Sequence, residues 1–159
     1  MIINVRNQIV KWAVDGITER QHFTYEEVRP LPLTWPPHHT VTDCSFFVKL
    51  CYWKAGAKDP TGLNYDGYGN SDSLFARGKH IALGQLKPGD VIVFGPGGSV
   101  HAVVVVSVAD KANPVCVSMG KPGDPSLASL GECLYLGTPT FLRFNTINRR
   151  FIQIGRAHV

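Results

Sequence analysis

Two residues in this chain have the chemistry for thiol-based attack on a carbonyl. Cys44 stands in Asp43-Cys44-Ser45, and His101 follows Gly97-Gly98-Ser99-Val100. A thiol attacks as its thiolate, and the positive end of a helix lowers a thiol pKa. Cys44 sits where a helix should begin, and the amides of that first turn can also receive the oxyanion of a tetrahedral intermediate. His101 opens an apolar run, Ala102 to Val106. A rigid strand there would fix the imidazole as a general base. Each residue also has a plainer role open to it, as a capped buried thiol or as a histidine satisfied by a loop carbonyl. Asp43 and Ser45 flank the thiol and are the candidates for substrate contact. Cys51, Cys116 and Cys133 read as small buried hydrophobes. No CxxC pair exists, which argues against structural zinc. Thiolate, imidazole and amide donors suffice for the chemistry, so neither a metal nor an organic cofactor is expected.

The elements that must position this pair follow from pattern. Ile3 to Asp15 has apolar residues at helical spacing, with Gly16 as its stop. Tyr25-Glu26-Glu27 reads as a short turn. The prolines of 30–37 require extended chain, so residues 30–41 form a loop laid across the domain. Thr42 or Asp43 can cap a helix from Cys44 to Ala55, ended by Gly56. That helix is apolar except at Lys49 and Lys54, hence buried on most sides. Residues 57–70 are rich in Gly, Asp and Asn and read as an exposed loop. Ser71 to Arg77 forms one short helix closed by Gly78. Asp90 to Phe94, His101 to Val108 and Pro114 to Met119 are β-branched runs between turns, an antiparallel meander to which Thr138 to Phe144 adds a strand. Helices first and strands afterwards give an α+β domain with a helix packed on one sheet face.

The chain has 159 residues, enough for one domain with a substantial core. Its formal charge of +4 favours an acidic polymer without choosing between cell wall and nucleic acid. No basic stripe with interleaved aromatics is present, which argues against nucleic-acid binding. No apolar run approaches the length of a membrane span, and the N-terminus lacks a signal-peptide pattern. A soluble monomer made in a cytoplasm is expected, with its thiols free. Ile154 to Val159 can be encoded by ATC GGA AGA GCA CAC GTC, a stretch of a common sequencing-library adapter whose next triplet is a stop. The expectation is a single domain over residues 1–153, with 154–159 as adapter read-through on a frame that continues into further domains.

Order then narrows the class. A helix-borne cysteine is followed by Leu86-Lys87-Pro88-Gly89-Asp90-Val91, and then by His101 at the head of a strand. This resembles the NlpC/P60 superfamily of cell-wall cysteine peptidases, whose members carry a D-C-S-G-[FL]-V nucleophile helix, an L-x-P-G-D-[LV] strand start and a histidine on the next strand. Here Phe46 replaces the usual glycine. The leader Tyr25-Glu26-Glu27-Val28-Arg29-Pro30, the stretch Tyr52 to Ala57 and Asp59-Pro60-Thr61-Gly62-Leu63 are similar to the N-terminal peptidase domains of endolysins from phages of mycobacteria and related actinobacteria. The resemblance spans roughly residues 3–145. It implies a papain-like NlpC/P60 fold with N-terminal helices packed on a central antiparallel sheet. It also implies Cys44 as nucleophile and His101 as the base that later protonates the leaving amine.

The implied substrate is bacterial peptidoglycan, cleaved within the stem peptide. Muramoyl-alanine amidase, acyl transfer and non-catalytic wall binding are the alternatives. An enzyme of this kind is made in the host cytoplasm and acts on the wall after release. A third polar residue should orient the imidazole. Related lysins read V-S-H-G where this chain has Val117-Ser118-Met119-Gly120, so Met119 occupies the place of the expected histidine. Methionine cannot take that role. Ser118, Asp124 or a backbone carbonyl remain as orienting groups.

Overall fold

The computed structural model describes residues 4–146; Ile154 to Val159 lie outside them. Helix α1 (Val5–Thr18) is capped by the Asn4 side chain, which accepts from the Asn7 amide. Gly16, expected to stop this helix, lies inside it. A side chain there would press on Phe47, since a Cβ would fall 3.1 Å from that ring, so close packing accounts for the glycine. Strands β1 (Phe23–Tyr25) and β2 (Thr40–Thr42) pair in parallel, where a turn was expected at Tyr25. The proline-rich loop between them is anchored by Leu31 and Trp35, which are buried. Trp35 meets Trp12 and Phe23 edge-on, at 5.8 and 5.5 Å between ring centroids.

Helix α2 (Cys44–Lys54) begins at an Asp43 cap and ends at Gly56, whose φ of +76° suits glycine at the left-handed position after a helix. Eight of its eleven residues are buried. Lys49 is among them, and its Nζ lies 3.1 Å from Asp59 Oδ2, 2.6 Å from the Tyr68 carbonyl and 3.4 Å from Thr61 Oγ1. The 57–70 segment is therefore not the exposed loop its composition suggests. Asp59 and Thr61 turn inward to meet the lysine, and Asp59 also accepts from the Thr61 and Tyr65 amides. Helix α3 (Ser71–Arg77) follows, capped by Asn70.

The second half builds a six-stranded antiparallel sheet. Its strands are β3 (Lys79–Ile81), β4 (Val91–Phe94), β5 (His101–Ser107), β6 (Val115–Ser118), β7 (Ser126–Ser129) and β8 (Pro139–Arg143), in the order β3-β8-β4-β5-β6-β7. The expected meander is β4-β5-β6, with β8 beside β4. Strands β3 and β7, too short and polar to show a period, extend the two edges. A four-residue helix, α4 (Leu130–Cys133), follows β7.

Alternation along the strands sorts the sheet into two faces. Val91, Val93, Ala102, Val104, Val117 and Met119 join α1 and α2 in the main core. Ile92, Phe94, Val103, Val105 and Cys116 form a smaller cluster on the other face with Leu130 and Cys133. Asp90, fully buried just before β4, ties α1 and β8 to this frame. It accepts from Arg6 of α1 at 2.7 Å and from Arg143 of β8 at 2.8 Å. No helix among the described residues is long and apolar enough to cross a membrane.

Candidate active site

The thiol of Cys44 is the first residue of α2, at the end where the helix leaves amide groups unpaired. Asp43 Oδ1 accepts from the Phe46 amide at 3.0 Å and so fixes this first turn. The backbone amides of Ser45 and Ala102 act on the sulfur, pulling its pKa down. Ala102 directly follows His101, so the start of α2 meets strand β5 beside the histidine. Of the four free cysteines, Cys44 alone is not fully buried.

The thiol opens into a cleft of about 260 Å³, lined by Glu27, Val28, Arg29, Asp43, Cys44, Ser45, Asn70, Ser71, Ser99 and Val100. Two walls come from the segments before and after α2, and one from the β4–β5 turn. That turn needs its glycines. Gly98 has φ +74°, and a Cβ there would fall 2.9 Å from both Phe75 and Val93 side chains. The turn thereby reaches α3 and aims the first residue of β5.

His101 is 6% exposed and lies behind the cleft wall. Its Nε2 is 2.8 Å from Ser118 Oγ. Phe94 lies 6.2 Å away, ring to ring, and Gly120 leaves room for the imidazole, since a Cβ there would come within 3.0 Å of Cε1. With Nε2 engaged by the serine, Nδ1 is the nitrogen left to take a proton. Ser118 pairs with Val103 across β5 and β6, and Val103 shares a sheet face with His101. Met119 is one residue further and turns to the helical side, where it is 1% exposed in the main core. Of the two residues in the expected orienting region, the structure brings Ser118 to His101 and not Met119. Asp124 is buried nearby without bonding the ring; it accepts from the Gly120 amide and from Ser126 Oγ, both at 2.9 Å.

Electrostatics set the resting protonation. Burial, together with the Asp43 carboxylate, pushes the Cys44 thiol up to about 11, against the two amide donors that pull it down. Burial lowers the His101 pKa below its usual 6.5, with Asp124 opposing. At neutral pH both groups are therefore uncharged. A preformed thiolate–imidazolium ion pair is thus not the resting state of these two groups.

Asp43 and Ser45 line the cleft, yet both are already engaged. Arg29 binds Asp43 through two nitrogens at 2.8 and 3.1 Å and reaches Ser45 Oγ at 3.1 Å. Phe46, the departure from the glycine pattern, is a buried ring with the Arg29 guanidinium 5.2 Å and Lys49 Nζ 5.7 Å from its centroid. Tyr25 and Arg29 are site residues that the sequence marked only as part of the similar leader. Tyr25 donates to Glu27 of the cleft wall at 2.6 Å, and its pKa is raised by burial, by Glu27 and by the Asp43 carboxylate. Nothing in sequence spacing places residues 25–29 beside residue 44; the parallel β1–β2 pairing does.

No family model matches the chain, and no curated protein matches it. Solved structures do. A hypothetical invasion protein of Mycobacterium tuberculosis superposes with a TM-score of 0.52 at 18% identity, over 92% of this chain and 67% of that one. The Resuscitation Promoting Factor Interacting protein RipA, in a form mutated at a cysteine, gives 0.55 at 16% identity over the same shares. RipD of Mycobacterium tuberculosis, described as a non-catalytic NlpC/p60 domain protein adapted to peptidoglycan binding, gives 0.54 at 14% identity. That match covers 89% of this chain and 98% of RipD. At these identities the likeness establishes architecture, and the architecture is the one the sequence motifs imply: this chain has the fold of the NlpC/P60 domain.

Proposed function

We propose that this protein is a peptidoglycan hydrolase of the phage-endolysin type, cleaving an amide bond of the cell-wall stem peptide with Cys44 as nucleophile and His101 as base. The observation that carries this reading is the meeting of the α2 N-terminus with β5. The sulfur lines the cleft within the influence of the Ala102 amide, next in the chain to His101, and the imidazole bonds to Ser118. In the reaction, sulfur attacks the carbonyl carbon as its proton passes to His101. The C–N bond breaks, and the amine leaves with the proton that the imidazole returns. Water, deprotonated by the same histidine, then hydrolyses the thioester. The peptidase motifs support the substrate class, as does the peptidoglycan-binding function given for RipD.

A second reading, a wall-binding domain of the same fold with little or no turnover, has its own observations. Burial pushes the thiol up to about 11, and among the described residues the imidazole's hydrogen-bond partner is a neutral hydroxyl. Purified sacculi separate the two. The hydrolase reading predicts soluble fragments with new amino termini, and mass spectrometry of those termini identifies the bond. Sedimentation of the protein with sacculi that release no fragments would establish binding instead.

A further inference from the structure

Arg29 carries five N–H donors, and the structure uses all of them. Nε donates to the Gly69 carbonyl at 2.7 Å. One terminal nitrogen donates to the Val28 carbonyl at 2.7 Å and to Asp43 Oδ2 at 2.8 Å. The other reaches Asp43 Oδ1 and Ser45 Oγ, both at 3.1 Å. An arginine in a cleft is ordinarily read as a receptor for a ligand carboxylate. This one has no donor left for such a ligand. Its partners instead come from the three segments that meet at the thiol: the chain after β1, the start of α2 and the end of the Lys49-centred loop. Its Cζ lies over the buried Phe46 ring, 5.2 Å from the centroid.

The charge it covers is adjacent to the nucleophile. Asp43 must stand beside Cys44 because it caps α2, but its carboxylate opposes formation of a thiolate. We propose that Arg29 is a positioning residue for Cys44, clamping the start of α2 to the cleft wall and masking the Asp43 carboxylate from the neighbouring sulfur. The helix thereby keeps an acidic cap without its full electrostatic cost to the thiol. This inference extends the reading of Cys44 as nucleophile, but its test requires no cell wall and can fail independently of the proposed activity.

The test is the rate of Cys44 alkylation by iodoacetamide between pH 7.5 and 9.5, with the adduct located by peptide mapping. In this range the rate tracks the thiolate fraction. Arg29→Met unmasks Asp43 and should slow alkylation about tenfold at fixed pH, the effect of roughly one pH unit in the thiol. Asp43→Asn keeps the cap, removes the carboxylate and should speed alkylation by a similar factor. The double variant should return to within about threefold of the unmutated rate. An Arg29→Met rate equal to the unmutated one would overturn the proposal, and so would a double variant as slow as Arg29→Met alone. Should Arg29→Met fail to fold by circular dichroism, Asp43→Asn decides: an unchanged rate counts against masking.

Discussion

Alternate residues of a β-strand face opposite sides of the sheet, so one step along the chain carries a side chain through it. On β6 that step separates Ser118, which faces His101, from Met119, which packs beneath α1 and α2. A neutral hydroxyl accepting from an imidazole contributes about 1 kcal/mol, so Ser118→Ala should lower turnover on sacculi by roughly fivefold while leaving binding unchanged. Met119→His, which writes the expected histidine back into the sequence, should not raise activity. It buries a polar ring among aliphatic side chains and should cost about 1–3 kcal/mol, read as a fall of several degrees in the thermal midpoint. The positions of Cys44 and His101 at element ends were legible because capping and strand-start signals mark those ends. The sequence named Ser118 beside Asp124 and a backbone carbonyl without choosing among them, because which of these reaches the His101 ring depends on cross-strand register. A bulge between Val105 and Ser107 offsets the β5–β6 pairing on the hairpin side, and no residue pattern announces it.

Element boundaries that depend on caps and turn residues followed from the sequence closely: α2 from its Asp43 cap to Gly56, and α3 from Ser71 to Gly78, though its Asn70 cap was read as loop. The segment between these helices did not, because composition cannot show that a helix offers it a cation. Lys49 is 1% exposed and bonds to Asp59, which is 3% exposed. This pair organises a loop whose far end meets Arg29 at Gly69 and whose last residues line the cleft. Lys49→Met leaves a buried carboxylate without its counter-charge and should cost about 3–5 kcal/mol. Lys49→Met combined with Asp59→Asn should recover part of that loss. Chemical denaturation of the two variants checks both numbers, and limited proteolysis should locate the first new cleavage within residues 58–70.

At the scale of the molecule, the change from helical to alternating pattern was enough to read an α+β domain, and the fold agrees. The sheet's edges and the parallel β1–β2 pair escaped because strands of three or four residues are too short to show periodicity. The β1–β2 pairing carries Glu27 and Arg29 to the cleft beside Cys44, so the cleft is a property of the assembled chain rather than of any one motif. The account as a whole rests on Cys44 performing covalent chemistry there. Its most direct test compares the unmutated protein with Cys44→Ala on purified sacculi, measuring released fragments and bound protein in the same samples. The account predicts that Cys44→Ala remains bound to the wall while fragment release falls to the level of untreated sacculi. Release by Cys44→Ala at the unmutated rate would contradict it.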